Sequence, residues 1–399
     1  MSHAFQGPTI LQVLPALDAG GVERGALEIA DAITQAGGRA LVASAGGRLA
    51  GRLHGIGARH IEFDLRGKSP WAIWRNTRKL VALIRAEGVD LVHARSRAPA
   101  WVASRACQRT RIPLVTTWHG LHRENLPGKK RYNAVLARGA RVIAISDFIA
   151  QRLATQYGVA PDRLRLIPRG ADIKAFDPAR IVGKGVQSLA EAWAIPEGAR
   201  VVMLPGRLTR WKGQALMLDA LALLTTMLPG EWVCVFVGPA DPDDRFVREL
   251  VTRARDLKIS DRLRFAGLCQ DMPAAYALAD VVVAPSLRPE PFGRVAIEAQ
   301  AMGRPVIVSA HGGAVETVLP EETGLLVAPG DAAALANAIC AVLDAPPDAL
   351  TLLAETARRH IVETYPTRRM QAATLGVYDE LLGTSMKDCF LSKSEIVSE

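Results

Sequence analysis

Ile10-Leu11-Gln12-Val13-Leu14, followed by Ala19-Gly20-Gly21-Val22-Glu23-Arg24-Gly25, decides the fold class. A short apolar run, a glycine pair and a helical pattern over Glu23–Gln35 read as a buried strand, a tight turn and a helix. The same succession recurs along the chain. Arg39–Ala43, Leu91–His93, Leu114–Thr117 and Val142–Ile145 continue a first series of strands. Val201–Leu204, Val233–Val237, Arg262–Phe265, Val281–Ala284, Val306–Val308 and Leu325–Val327 form a second. Strands alternating with helices predict parallel sheets covered on both faces, here as two doubly wound α/β domains. Ligands of such sheets bind beyond the carboxyl ends of the strands, so the expected site is the cleft between the domains.

Between the two series, Gly170–Gly198 is punctuated by Asp177-Pro178, Gly183, Gly185 and Pro196, which suits an inter-domain connection. The expected organisation is a basic first domain over 1–195 and a second over 196–365. A helix over 366–383 is expected to pack back on the first domain, with 384–399 a loose tail.

With 399 residues, 49% hydrophobic and 22% charged, the chain has the composition of an ordinary soluble protein with sizeable cores. That excludes a disordered chain, a collagen-like repeat and a small disulfide scaffold. Cys107, Cys234, Cys269, Cys340 and Cys389 are widely scattered without a CxxC pair, which predicts reduced thiols in a cytosol and no Cys-rich zinc site. No secretory leader is expected. The longest apolar stretch, Ala215–Leu228, is interrupted by Asp219, Thr225 and Thr226 and reads as a buried helix rather than a membrane span.

Charge is distributed unevenly. Residues 1–195 carry 29 Lys and Arg against 14 Asp and Glu, whereas the remainder carries 20 against 26. A net +15 on the first half predicts an anionic partner. Lys68–Arg85 reads as a helix with Trp71, Trp74, Arg75, Arg78, Lys79 and Arg85 among aliphatics, and Arg123 with Lys129-Lys130-Arg131 falls in an expected loop. This charge is either a solvated face or a surface that docks on acidic lipid or glycolipid. No helix-turn-helix, RNP, KH or zinc-finger pattern accompanies it, so nucleic acid is not the expected partner.

Three motifs carry chemistry. Gly20-Gly21, between strand and helix, lets the backbone approach a phosphate at a helix N-terminus, although it matches neither GxGxxG nor a P-loop. In Gly206-Arg207-Leu208-Thr209-Arg210-Trp211-Lys212-Gly213, two cations five apart across a turn are spaced for one diphosphate. In Glu290-Pro291-Phe292-Gly293-Arg294-Val295-Ala296-Ile297-Glu298, two carboxylates bracket a glycine at a helix entry, where backbone N–H groups are free for an anion. His119, in Thr116-Thr117-Trp118-His119-Gly120, ends a predicted strand facing the same cleft.

Taken together these residues resemble the family 4 retaining glycosyltransferases of the GT-B fold. The Glu290–Glu298 stretch, continued by Met302-Gly303-Arg304-Pro305-Val306-Ile307, is similar to that family's E-x7-E motif and its following helix and strand. The likeness extends to Asp90-Leu91-Val92-His93-Ala94, Ile145-Ser146, Ile167-Pro168-Arg169-Gly170-Ala171-Asp172 and His311-Gly312-Gly313-Ala314-Val315-Glu316. The resemblance implies two Rossmann-like domains and a nucleotide-diphosphate-sugar donor. Its acceptor would be a glycolipid or oligosaccharide of the lipopolysaccharide type, at the inner face of the cytoplasmic membrane. It implies that Arg207 and Lys212 hold the donor diphosphate and that Phe292, Gly293 and Arg294 border it. Glu290 would bind hydroxyls of the transferred sugar and Glu298 the ribose. His119 would sit near the sugar and acceptor, and Gly20-Gly21 near the phosphate and acceptor. His119, Arg207, Lys212 and Glu290 are the implied catalytic set, with no metal and no other cofactor.

Two departures accompany the match. Arg169 stands where the family often has Asn, and Asp241-Pro242-Asp243-Asp244 looks like a metal-binding DxD but falls in an expected solvated turn. A nucleotide-sugar 2-epimerase of the same architecture and a non-catalytic nucleotide-sugar or polyanion-binding protein are the competing readings. The paired carboxylates argue against the first, and the intact charged set against the second.

Overall fold

A computed structural model describes residues 7–395 apart from 19, 123, 125 and 242, with the backbone only at 394 and 395. Ala19, Arg123, Pro242 and residues 396–399, which figure in the sequence reading, lie outside the described residues.

The chain divides into two compact units, Met1–Arg169 with Thr367–Glu399, and Gly170–Pro366. The first holds β1 (Thr9–Val13), β2 (Arg39–Ser44), β3 (Arg59–Glu62), β4 (Leu91–Ala94), β5 (Leu114–Trp118), β6 (Arg141–Ala144) and β7 (Leu164–Leu166). They form one sheet in the order β3-β2-β1-β4-β5-β6-β7, every pair parallel. The second holds β8 (Arg200–Pro205), β9 (Trp232–Val237), β10 (Leu263–Gly267), β11 (Val281–Ala284), β12 (Val306–Ser309) and β13 (Leu325–Val327), in the parallel order β10-β9-β8-β11-β12-β13. The central strands are buried on both faces, which is why they read as continuous apolar runs. Strand order reverses between β1 and β4 in one sheet and between β8 and β11 in the other, the two places where an open α/β sheet leaves a crevice at its carboxyl edge.

β3 and β7 were not foreseen. Both are short edge strands with half-exposed faces, and Arg59-His60-Ile61-Glu62 shows too little apolar alternation to announce itself. Lys129-Lys130-Arg131, expected in a loop, opens the short helix Lys129–Asn133. The helix expected over Lys68–Arg85 runs Pro70–Glu87, with Ser69 Oγ accepting from the Ala72 N–H and proline in the first turn. Ala215–Leu228 corresponds to the helix Gln214–Met227.

The boundary expected at 195/196 lies instead at Arg169/Gly170. Gly and Pro make 170–198 look like a linker, but the segment belongs to the second unit and is anchored there by a few buried side chains. Phe176 and Trp193 are buried, and the helix Gly183–Ala192 packs on the helix Met272–Leu278. Arg358 donates to the Phe176 and Ala301 carbonyls at 3.0 and 2.6 Å and to Asp177 at 2.9 Å. With this boundary the first unit still carries 30 Lys and Arg against 16 Asp and Glu, so the basic bias belongs to it.

The loose tail expected over 384–399 is corrected as well. Met386–Glu395 is a helix packed against the helices Gly21–Gln35 and Thr367–Leu382. Met386 and Phe390, four apart and on one face, are buried in the first unit's core, and the Arg368 guanidinium lies 4.2 Å from the Phe390 ring. Asp379 accepts from the Met386 and Lys387 N–H groups at 2.8 and 2.9 Å and anchors the helix start. Two large apolar residues in a polar segment were too weak a pattern to identify it.

Candidate functional site

In the second unit, the loops after β8 and β11 meet at the strand-order reversal. The first carries Arg207 and Lys212. Gly213 ends it with φ +83°, and an added Cβ would stand 1.9 Å from the Pro285 carbonyl oxygen, so only glycine lets the β8 and β11 loops touch here. The Leu287 N–H donates to the Trp211 carbonyl at 2.8 Å and ties the loops again. The result joins two of the sequence-identified residues: Lys212 Nζ lies 2.5 Å from Glu290 Oε1. The Lys212 ammonium also sits 4.6 Å from the Trp211 ring centroid. Arg207 is exposed at the same loop, and Gln214 Nε2 donates to its carbonyl at 3.1 Å.

Glu290 is pinned by more than lysine. Ser286 Oγ donates to the same Oε1 at 2.5 Å, and the Glu290 carbonyl accepts from the Gly313 N–H at 2.7 Å. Gly293, with φ +102°, is the N-cap of the helix Arg294–Ala301 and brings no side chain to cap it. The Ala296 N–H donates to the Gly293 carbonyl at 3.1 Å, and the positive end of the helix lies at the loop that carries Glu290. Phe292, placed among the donor-binding residues, is buried edge-to-face on Tyr365 at 5.7 Å and acts as packing beneath the loop. Glu298 is buried one helical turn on from Arg294, whose Nε lies 3.4 Å from Oε1, while Tyr276 OH donates to Oε2 at 3.1 Å. Asp244, from the acidic turn, accepts from the Phe246 N–H at 2.6 Å and caps the helix Arg245–Asp256, while Asp241 accepts from the Asp243 N–H. Among the described residues no three His, Cys, Asp or Glu side chains are grouped to hold a metal.

The first unit has its own polar cluster at the carboxyl edge of β1, β4 and β5. Gly20, with φ +148°, and Gly21 open the helix Gly21–Gln35. Gly25, one turn on, has a different duty: an added Cβ would lie 2.3 Å from the Arg169 guanidinium, so its missing side chain seats that buried arginine. Arg169 Nη2 donates to the Gly21 carbonyl at 2.7 Å and lies 3.3 Å from Glu28. Arg169 therefore spans the glycine turn and the helix behind it, which accounts for the unusual residue at this position.

His119 directly follows β5, and its Nε2 is buried without a hydrogen-bond partner among the described residues. Burial first, then the charges of Arg169 and Arg95, hold its pKa well below the ordinary histidine value, so the ring is neutral at pH 7. Arg95, the residue after β4, is only 2% exposed. Its Nε donates to Gln12 Oε1 at 2.6 Å, while Nη2 is buried with no partner among the described residues. His93 is held between Tyr378 OH and Thr117 Oγ1, both at 2.7 Å, and burial keeps it neutral.

Sequence reasoning did not single out Arg95, Ser286 or Tyr276. Arg95 was detectable as a charged residue just past a buried strand. Ser286 and Tyr276 carry no signal of their own, since serine in a loop and tyrosine in a helix are commonplace.

Comparison with known proteins agrees with this architecture. The family description "Glycosyl transferases group 1" matches residues 186–360 and "Glycosyltransferase Family 4" matches residues 19–175. D-inositol 3-phosphate glycosyltransferase 1 of Catenulispora acidiphila is 33% identical over 302 residues, covering 70% of this chain and 69% of that protein. A glycosyltransferase crystal structure from Rickettsia africae superposes with a TM-score of 0.86 at 33% identity, covering 96% of this chain and 100% of that one. The Anabaena protein HepE in complex with UDP-glucose superposes with a TM-score of 0.82 at 26% identity, over 94% and 100% of the two chains. The chain thus belongs to the family 4 glycosyltransferases, enzymes of the GT-B fold that use a nucleotide-sugar donor.

Proposed function

We propose that this protein moves a sugar from a nucleotide-diphosphate-sugar to a hydroxyl of an acceptor bearing an anionic group, with retention of anomeric configuration and without a metal. The observation that carries this reading is the placement of Lys212, Glu290 and the open helix start at Gly293 around one strand-order reversal. Lys212 and Arg207 would meet the diphosphate and neutralise charge as it becomes the leaving group, while the helix N-terminus adds N–H donors. Glu290 would orient the transferred sugar through its hydroxyls, and Glu298, steadied by Tyr276 and Arg294, the nucleotide ribose. In the step itself the bond from the anomeric carbon to the phosphate oxygen breaks ahead of bond formation, giving an oxocarbenium-like centre. The acceptor oxygen attacks from the same face, and its proton passes to the leaving phosphate. Glu290 is not assigned as a nucleophile: its carboxylate is engaged by Lys212 and Ser286, and two-carboxylate glycosidase logic does not transfer to it.

The first unit would receive the acceptor beside His119 and the Gly20-Gly21 turn, and its basic surplus supports an anionic group there. A lipid-linked or lipopolysaccharide-type glycan at the inner membrane face is the leading acceptor. The outward face of the helix Pro70–Glu87 supports membrane docking. Trp71 and Trp74 are 63% and 47% exposed there, with the guanidinium groups of Arg75 and Arg78 over their rings at 4.7 and 5.0 Å. No helix of the described residues is long and apolar enough to cross a membrane. The relatives named for D-inositol 3-phosphate favour a second acceptor of the same chemistry, a small phosphorylated polyol.

The test is a thermal-shift and hydrolysis screen against UDP-, GDP- and ADP-sugars, followed by transfer to D-inositol 3-phosphate and to lipid-linked glycans. One donor that raises Tm and slowly releases its diphosphate and free sugar is the expected result. An epimerised donor produced without acceptor would sink this reading in favour of an epimerase. Tight donor binding with no transfer to any acceptor would favour a binding protein.

A further inference from the structure

We propose that Ser286 is a positioning residue for the transferred sugar: it fixes the Glu290 carboxylate when Lys212 turns to the donor diphosphate. The proposal rests on the reading of Glu290 as the group that binds the sugar.

Ser286 is buried, and its Oγ lies 2.5 Å from Glu290 Oε1. Lys212 Nζ approaches that same oxygen at 2.5 Å. Both donors converge on Oε1, and Oε2 accepts no hydrogen bond among the described residues. One carboxylate oxygen is therefore anchored and the other is left for a hydroxyl.

The two anchors differ in how firmly they are themselves held. Lysine is a point charge on a flexible four-carbon stem. A diphosphate competes for its ammonium with more charge and more acceptor oxygens than one carboxylate offers. Ser286 has no such freedom. Its N–H donates to the Ala284 carbonyl at 2.9 Å, and its own carbonyl lies 2.8 Å from His311 Nε2 on the loop after β12. That loop also holds Glu290, through the Gly313 N–H and a bridge between Glu290 and Gly312. Ser286 and Glu290 are thus fixed to one frame, while Lys212 belongs to the separate β8 loop. A largely buried carboxylate that lost its ammonium partner would need another donor to keep its orientation. Ser286 Oγ is that donor.

The experiment compares the affinity of UDP and UDP-glucose for the wild-type protein and for Ser286→Ala by titration calorimetry. In the wild type, UDP-glucose binds more tightly than UDP. In Ser286→Ala, UDP affinity stays within about two-fold while UDP-glucose weakens by roughly ten-fold, the usual scale for losing a hydrogen bond to a charged group. Unchanged UDP binding also reports that the variant is folded. Equal weakening of both ligands would overturn the proposal, because a merely structural serine would disturb the whole loop. No change in either ligand would overturn it as well. Failure of the wild type to prefer any UDP-, GDP- or ADP-sugar over its bare nucleotide is a different result: it would overturn the functional reading and, with it, the role of Ser286.

Discussion

Gly213→Ala puts the joining of the β8 and β11 loops under direct stress. The residue has φ +83°, which costs alanine about 1–2 kcal/mol, offset by about 0.5–1 kcal/mol from a stiffer unfolded chain. The larger effect is steric. The new Cβ would lie 1.9 Å from the Pro285 carbonyl oxygen, a backbone atom that no rotamer change can move aside. Relief requires the β11 loop to retreat by roughly 1 Å, an overpacking strain of about 1–3 kcal/mol. The sum is about 1–4.5 kcal/mol, or about 2–18 °C in Tm for a unit of this size. Because Pro285 directly precedes Ser286, the retreat also draws Ser286 and Glu290 away from Lys212. Differential scanning calorimetry should show the second unit destabilised, and titration should show weaker UDP-glucose binding. A variant with Tm within about 1 °C of wild type and unchanged affinity would refute the argument that this close approach builds the site.

Lys212→Ala and Glu290→Ala should each lower transfer by at least about 100-fold while circular dichroism reports an intact fold; wild-type-like turnover in both would sink the mechanism. Phe390→Ala should destabilise the first unit by about 3–5 kcal/mol in urea titration, whereas an unchanged midpoint would mean that Met386–Glu395 does not belong to the core. Burial, then Arg97 and Arg152, push the His122 pKa down to about 4, while the unfolded chain takes up its proton near 6.5. The His122 contribution to stability should therefore be lost as pH drops from about 6.5 to about 4; His122→Asn should make the wild-type slope shallower over that window, and parallel slopes would contradict it. Changing Arg75, Arg78 and Lys79 together to glutamine should weaken binding to phosphatidylserine-containing vesicles by about 1 kcal/mol per charge at low salt, and unchanged binding would remove this helix from the account.

The strand–helix alternation and the ordered motifs were legible because each is local. Period, glycine placement and a turn length are written in consecutive residues, so Ile10–Leu14 with Gly20-Gly21, and Arg207–Lys212, could be placed on strand ends directly. Edge strands such as Arg59–Glu62 were not, since only one of their edges is paired and their sides are half solvated. Glycine and proline over 170–198 suggest a linker because turn chemistry looks the same whether the turn is solvated or packed. Burial of Phe176 and Trp193 settles the matter, and it depends on partners far along the chain.

By itself the sequence determined two parallel α/β units, the basic bias of the first and the charged groups available for a diphosphate. Tertiary structure decided which of these groups meet. Lys212 and Glu290 are 78 residues apart and touch only because β8 and β11 are neighbours, an order set by how helices cover the sheet. Ser286, Arg95 and the seat that Gly25 gives Arg169 are likewise products of approach between segments. A hydrogen bond at 2.5 Å or a buried nitrogen without a partner depends on the distance between atoms, and residue types in a row do not specify it.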